Sequence, residues 1–284
     1  MRKNLQYYLL GILVLGLANV FVWQFVFGLA SPGGGLKVIF FDIGQGDSIF
    51  IETPAKHQIL IDGGPSNEAV EKLGKQMPFW DKTIDVVILT HPDYDHLRGL
   101  LDVLDNYQVK NILWTGELSE GKTFEAWQEK IEQEGAKIIL ATAGTKIIAE
   151  QVEMDVLYPM ELPEQDSKNN NNSSIVAKMV YGQTKFLFTG DAEKPAEKEM
   201  LLQGQDLFSD VLKVAHHGSK SATSLEFLAN VKPEIAVISV GARNTYGHPH
   251  QEVLSNLLEF GIKVKRTDQQ GDISLFSNGQ NIIY

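Results

Sequence analysis

The chain has no cysteine, which excludes disulfide bonds and any metal centre built on thiolates. It also lacks a helix-opening GxGxxG, so the usual glycine fingerprint for dinucleotide phosphates is missing. There is no basic surplus either: 36 acidic residues against 25 basic ones leave a net charge of −11. An acidic chain binds polyanions poorly unaided, because phosphate contacts rest on clustered lysine and arginine. Two bound divalent ions would offset about four of those negative charges locally. No internal repeat is visible beyond two strand-rich halves. The remaining composition, 43% hydrophobic and 21% charged, is that of an ordinary globular protein.

Charge is absent altogether from Tyr7 to Ala30, an apolar run long enough to cross a bilayer. Arg2 and Lys3 precede it, so the positive-inside rule puts the N-terminus in the cytoplasm and the remainder outside. Trp23, Tyr7 and Tyr8 suit the two interfaces. A cleaved signal peptide is the alternative, with Gly28 and Ala30 as small cleavage-site residues. The run is longer than a typical signal core, which favours an uncleaved anchor. Either reading exports the domain. The expected organisation is an anchor or signal peptide over residues 1–30, a Ser-Pro-Gly-Gly-Gly linker over 31–35, and one large domain over 36–284.

The densest chemistry lies between Ile88 and Leu100. Val86, Val87, Ile88 and Leu89 read as a short buried strand. It runs into Thr90 and then His91, Pro92, Asp93, Tyr94, Asp95, His96. Pro92 cannot continue a central ladder, so the strand should end there and the polar residues should sit in a loop. Four potential ligands within six positions can converge on one ion where the backbone curls. Imidazole and carboxylate both suit Zn²⁺ or Mn²⁺, and a mixed set leaves positions open for water and substrate.

This stretch resembles the first metal motif of the metallo-β-lactamase fold hydrolases, HxHxDH. Here it reads HxDxDH, with Asp93 in place of the second histidine. The same exchange occurs in one branch, the ComEC-type hydrolase domain of DNA-uptake (competence) channels. The opening phrases FDIGQGDSIFIETP and ILIDGGP also resemble that branch, and so do NNSSIVAKMV, HHGS, NxYGHPH and QxGDI further on. The likeness runs in order from Leu36 to Tyr284. The channel-forming segment of those proteins is not part of this sequence.

Strand-rich blocks alternating twice with helices fit an α/β protein of the αββα sandwich type, two packed sheets with helices outside. The full expected fold is that sandwich preceded by one N-terminal transmembrane helix. Helices are expected at 67–77, 97–104, 123–133, 195–203, 224–230 and 251–260. Helical spacing makes Phe124, Trp127 and Ile131 core residues.

The resemblance implies a metal-ligand set of His91, Asp93, Asp95, His96, Asp191 and His216, with Asp191 shared between ions and Asp95 also orienting water. His216 and His217 end an apolar strand, VLKVA. Neighbouring side chains on extended backbone face opposite ways, so only one is expected to bind metal. The ligand is taken to be His216, with His217 facing substrate. His217 or His248 would protonate the leaving group. Asp42 and Asp47 are expected beside the metals, Asn172 and Ser174 at water or substrate, and Arg243 as a phosphate clamp. His250 and His57 read as structural and surface residues.

The function so implied is metal-dependent hydrolysis with one or two divalent ions, Zn²⁺ or Mn²⁺. The expected substrate is a phosphodiester, with DNA handled outside the membrane during uptake, and the expected partners are a membrane and a DNA-uptake channel. The alternatives are a lactamase or lactonase acting on a small substrate, and a catalytically weak module binding DNA or a channel.

Overall fold

The computed structural model describes residues 34–163 and 170–284. The expected transmembrane helix over residues 7–30 lies outside the described residues, as does Asn169. Leu36–Tyr284 is a compact unit in itself.

The first part of that unit supplies β1 (Leu36–Phe40), β2 (Ile49–Glu52), β3 (Gln58–Ile61), α1 (Glu68–Gln76), β4 (Thr83–Ile88), α2 (Tyr94–Asn106), β5 (Gln108–Trp114), α3 (Lys122–Glu134) and β6 (Lys137–Leu140). The second supplies β7 (Lys146–Ala149), β8 (Val152–Tyr158), β9 (Val176–Tyr181), β10 (Thr184–Phe188), α4 (Lys194–Leu202), β11 (Val211–Lys213), α5 (Leu225–Val231), β12 (Ile235–Ile238), α6 (Gln251–Glu259), β13 (Lys263–Arg266), α7 (Thr267–Gln270), β14 (Ile273–Ser277) and β15 (Ile282–Ile283). One sheet runs β15-β14-β1-β2-β3-β4-β5-β6 and the other β13-β12-β11-β10-β9-β8-β7.

Strand alternation builds the layers. Val38 and Phe40 of β1 face the other sheet, where they join Phe186 and Phe188 in the central core. Ile39 points the opposite way, into a second core with Leu73, Leu97, Leu100 and Trp127 of the helices. A third core joins Leu212 and Ile238 to Met200, Phe227 and Leu257. Each fully buried side chain of this size contributes about 1.5–3 kcal/mol. The αββα sandwich expected from the alternation is the observed architecture.

Strand direction decides where the chemistry can gather. β3, β4, β5 and β6 run parallel, as do β10, β11, β12 and β13. Parallel neighbours end at the same edge, so the segments after β3, β4, β10 and β11 share one end of the sandwich. β1 points the same way, since β1 and β3 both pair antiparallel with β2.

One boundary differs from expectation. The helix after the His91 motif begins at Tyr94, three residues early, so Asp95 and His96 lie in its first turn rather than in a loop. Asp93 is extended, and its carbonyl accepts the N–H groups of His96 and Leu97 at 3.0 and 2.9 Å, which starts the helix inside the motif. The turn after β3 is pressed against this helix: Gly63 N–H donates to His96 O at 2.7 Å and Gly99 N–H to Gly64 O at 2.8 Å. A Cβ on Gly99 would stand 1.9 Å from the Gly63 carbonyl oxygen, so only glycine permits the approach.

Candidate metal centre and active site

Three imidazoles define the centre. His91 and His96 come from the segment after β4, and His217 from the segment after β11. Each uses Nδ1 for a protein partner and leaves Nε2 buried without one. Nδ1 of His96 meets Asp62 Oδ2 at 2.8 Å, and that of His217 meets the Ser239 carbonyl oxygen at 2.9 Å. Nδ1 of His91 has Thr90 Oγ1 at 3.0 Å and Ser174 Oγ at 3.3 Å. A carboxylate or carbonyl at Nδ1 fixes the tautomer and turns the Nε2 lone pair outward. Such a buried nitrogen is costly to leave unpartnered. Three together call for a cation.

The surrounding spacings fit that reading. His217 Nε2 is 3.3 Å from Asp191 Oδ2 and 3.4 Å from Asp95 Oδ2, and His96 Nε2 is 3.5 Å from Asp191 Oδ2. His91 Nε2 is 3.6 Å from Asp93 Oδ2. Two ligands at zinc bond lengths in a tetrahedron stand roughly 3.3–3.4 Å apart. Groupings compact enough for an ion include His91 with His96 and Asp191, and Asp95 with His96 and His217. Asp47 joins two further groupings, one with Asp62 and His96 and one with Asp191 and His217. The all nitrogen and oxygen donor set therefore fits divalent metal, and it does not distinguish Zn²⁺ from Mn²⁺.

Charge explains how the carboxylates persist there. Burial pushes Asp191 up, but the charges of His217, His96 and Lys213 outweigh it and hold its carboxyl well below the usual range. Burial likewise pushes Asp95 up, and the adjacent imidazole of His217 reverses this with help from the charge of His96. For Asp93, His91 and Asn170 overcome the same penalty. The histidines show the reciprocal effect. Burial lowers His217, yet Asp191 and Asp95 raise it to about 10, and His96 is raised well above 6.5 by Asp191 and Asp62.

The expected set is largely gathered, with exchanges. His217, expected to face substrate, sits inside the centre. His216, expected as ligand, stands at its rim, with Nε2 3.9 Å from Asp191 and Nδ1 3.3 Å from Glu193. The reason is backbone conformation. Both residues have left-handed φ, 49° and 53°, in the tight turn Ala215–Gly218, so the alternation of an extended strand does not apply. Ser174, expected at water or substrate, is fully buried and does not line the crevice; its Oγ accepts the Asp191 N–H at 3.1 Å. Asn172 instead binds Glu193, donating to its carboxylate at 3.3 Å and accepting its N–H at 3.2 Å, while Asn171 lines the crevice. Asp47 is buried in the centre, whereas Asp42 offers its backbone N–H to Asp272 and belongs to none of the ligand groupings. Arg243 is exposed and does not line the crevice.

Asp62 and Lys213 were not anticipated. Asp62 directly follows β3, beside β4, and also accepts the Thr90 N–H at 2.8 Å and the Thr90 hydroxyl at 2.7 Å. Lys213 is fully buried, donates to Gly190 O at 2.7 Å, reaches Asp191 Oδ1 at 3.5 Å and pairs with Asp47. Its signal was legible, since a lysine inside VLKVA needs a buried partner.

The centre opens into a polar crevice of about 130 Å³ lined by Gln45, Asp93, Asp95, Asn171, His216, Tyr246 and His248 among others. His248 is half-buried. Burial and the neighbouring imidazoles of His216 and His217 push it down to about 4, so it is neutral at pH 7.

The family model described as the metallo-beta-lactamase superfamily matches residues 41–242, a span that includes all the ligand candidates. The chain belongs to that superfamily. It is similar to "ComE operon protein 3" of Bacillus subtilis (strain 168), 38% identical over 270 residues, covering 88% of this chain and 34% of that protein. It is similar too to "Competence protein ComA" of Neisseria gonorrhoeae, 30% identical over 250 residues, covering 85% of this chain and 32% of that protein. The chain thus spans about a third of the length of these relatives, and its likeness to the hydrolase domain of competence proteins is the one its motifs implied. The solved structure of Igni18, described as a novel metallo hydrolase from the archaeon Ignicoccus hospitalis, matches with a TM-score of 0.54 over 84% of this chain and 98% of that one. At 17% identity this speaks to the fold. A metallo-beta-lactamase fold with a centre of this composition is a hydrolase scaffold built for divalent metal.

Proposed function

We propose that the domain hydrolyses phosphodiesters, and that its substrate is DNA handled outside the membrane. The observation that carries the hydrolytic part is the set of three partnerless Nε2 atoms grouped with Asp95 and Asp191, of which His217, Asp95 and Asp191 line a solvent-open crevice. The likeness to a protein named for competence carries the choice of DNA.

His91, Asp93, Asp95, His96, Asp191 and His217 would hold one or two ions, Zn²⁺ or Mn²⁺. A divalent ion there supplies Lewis acidity, making water more acidic and polarising a phosphoryl oxygen. The remaining steps belong to the chain. Asp95, kept ionised by His217, orients the attacking water and takes its proton. Lys213 holds the Asp191 carboxylate and Ser174 accepts its backbone N–H, so Asp191 keeps one orientation at the crevice. His248 lies at the mouth, neutral in the free site. An anionic phosphate against its ring favours the imidazolium, which then hands a proton to the oxygen that leaves as the P–O bond breaks. The apolar run Tyr7–Ala30 would tether the domain to the outer face of a membrane.

The test uses Leu36–Tyr284 supplied separately with Mn²⁺ and Zn²⁺. Cleavage of single- and double-stranded DNA is followed beside bis-p-nitrophenyl phosphate, with Asp95→Ala as control. Metal-dependent cutting of DNA, lost in the variant, is the expected result. Activity on the small diester alone moves the substrate to another phosphodiester. Bound metal without diesterase activity redirects the reading to lactams and lactones, and failure to bind metal leaves a binding module.

A further inference from the structure

The end of the sandwich opposite the metal centre carries a feature that hydrolysis does not use. Between α1 and β4 the chain turns at Pro78 and exposes two adjacent aromatics, Phe79 at 83% and Trp80 at 72% of their full surface. The rings pack edge to face with centroids 4.9 Å apart. They therefore form one contiguous apolar tip instead of two separate side chains. Large aromatics so fully exposed are uneconomical in water unless something covers them.

The position of the tip says what covers it. Lys37, the second residue of β1, donates to Gln76 Oε1 at 2.7 Å, three residues before Phe79. Gln58, at the start of β3, donates to Asp81 at 2.9 Å, one residue after Trp80. The tip thus sits at the end of the sheet where β1 begins. Five residues separate Leu36 from Ala30 and its uncharged apolar run, at most about 20 Å of extended chain. Nearby charges are mixed: Lys75 in the last turn of α1, Lys82 over the Tyr107 ring, Lys56 paired with Glu52, and Asp85 held by Lys110. Attraction to anionic headgroups is therefore weak, and the aromatic pair carries the contact.

We infer that Phe79 and Trp80 form an interfacial foot that dips into the lipid bilayer beside the point where the domain is tethered. The inference rests on the proposed anchoring of residues 7–30. Aromatic rings suit this role, since they combine a large apolar body with affinity for the headgroup zone. β4 carries the chain from Thr83 near the foot to His91 in the centre, a rise of roughly 25 Å. A bilayer at the foot leaves the crevice in water, facing away from the membrane. The foot fixes the domain's tilt, and the catalytic mouth then meets substrate at a set height.

The chain's lack of cysteine permits a direct test on the full chain reconstituted in phosphatidylcholine vesicles. Phe79→Cys and, at the catalytic end, Leu225→Cys are each labelled with a polarity-sensitive dye. Leu225 is 48% exposed and begins α5, next to the segment that carries His216. The expected result is a blue-shifted label at position 79, several-fold less quenched by aqueous iodide than the one at 225, and unchanged by high salt. Equal quenching of both labels, on a chain that resists carbonate extraction, overturns the foot and leaves the anchor standing. Release of the chain by carbonate with both labels in water overturns the anchor and the foot together.

Discussion

Asp62 Oδ2 lies 2.8 Å from His96 Nδ1, on a carboxylate wholly shielded from solvent. The same carboxylate accepts the Thr90 N–H and hydroxyl, so the segments after β3 and β4 are joined through it. It holds the imidazole with Nε2 aimed at the centre. Partners of this kind govern metal affinity by orienting the ligand and raising its basicity. Asp62→Asn is expected to fold and to weaken metal binding by about 10–100-fold, measured by competition with a chromogenic chelator. Unchanged affinity would remove Asp62 from the centre.

His216 and His217 are expected to separate cleanly. His217→Ala removes a buried nitrogen of the centre, and bound metal per chain should fall markedly in elemental analysis. His216→Ala, altering a rim residue with 23% side-chain exposure, should retain metal and lose activity by about 10–100-fold if it contacts substrate or water. The reverse pattern of metal loss would return the ligand role to His216.

The pH dependence of stability follows from the raised histidines. In metal-free protein His217 holds its proton up to about pH 10, against an ordinary imidazole value of 6.5, and His96 shifts the same way. The folded state then binds more protons than the unfolded state between those limits, so stability falls as pH rises. The contribution is complete below the unfolded value and gone above the folded one. Melting temperature of the domain in chelator should therefore decline from pH 6.5 toward pH 10. Metal-loaded protein needs neutral imidazoles, so lowering the pH should weaken its metal binding. A flat melting profile in chelator would contradict this account.

Lys213→Met leaves Asp47 and Asp191 buried without their ammonium. Removing one partner from a buried pair costs about 3–5 kcal/mol. Urea denaturation in chelator should show a loss of that size, and saturating divalent metal should recover part of it by neutralising the same carboxylates. An equal loss with and without metal would mean that Lys213 acts only by packing.

Much of this molecule was legible along the chain. Alternating apolar strands and amphipathic helices specified the sandwich, because side-chain period is a local property that burial then selects. His91, Asp93, Asp95 and His96 announced a metal centre, since so many donors behind a buried strand have few other uses. Asp191, at the end of another apolar strand, was identified by order and by the motifs around it.

Other features were decided only by the tertiary structure. Asp62 finds His96 because β3 and β4 lie side by side and parallel, with Gly63 and Gly99 pressed together; no local pattern encodes that pairing. His217 rather than His216 turns inward because the chain after β11 adopts two left-handed residues, held where His216 N–H donates to Gly190 O at 3.3 Å and Ser219 N–H to His216 O at 2.8 Å. Lys213 becomes the ammonium between two carboxylates only when β10 and β11 carry it to Asp191 and the turn after β1 brings Asp47 against it. The sequence determined which chemical groups the centre could use. Packing between distant segments determined which way each one faces, because a side chain's direction depends on backbone torsions that neighbours far along the chain stabilise.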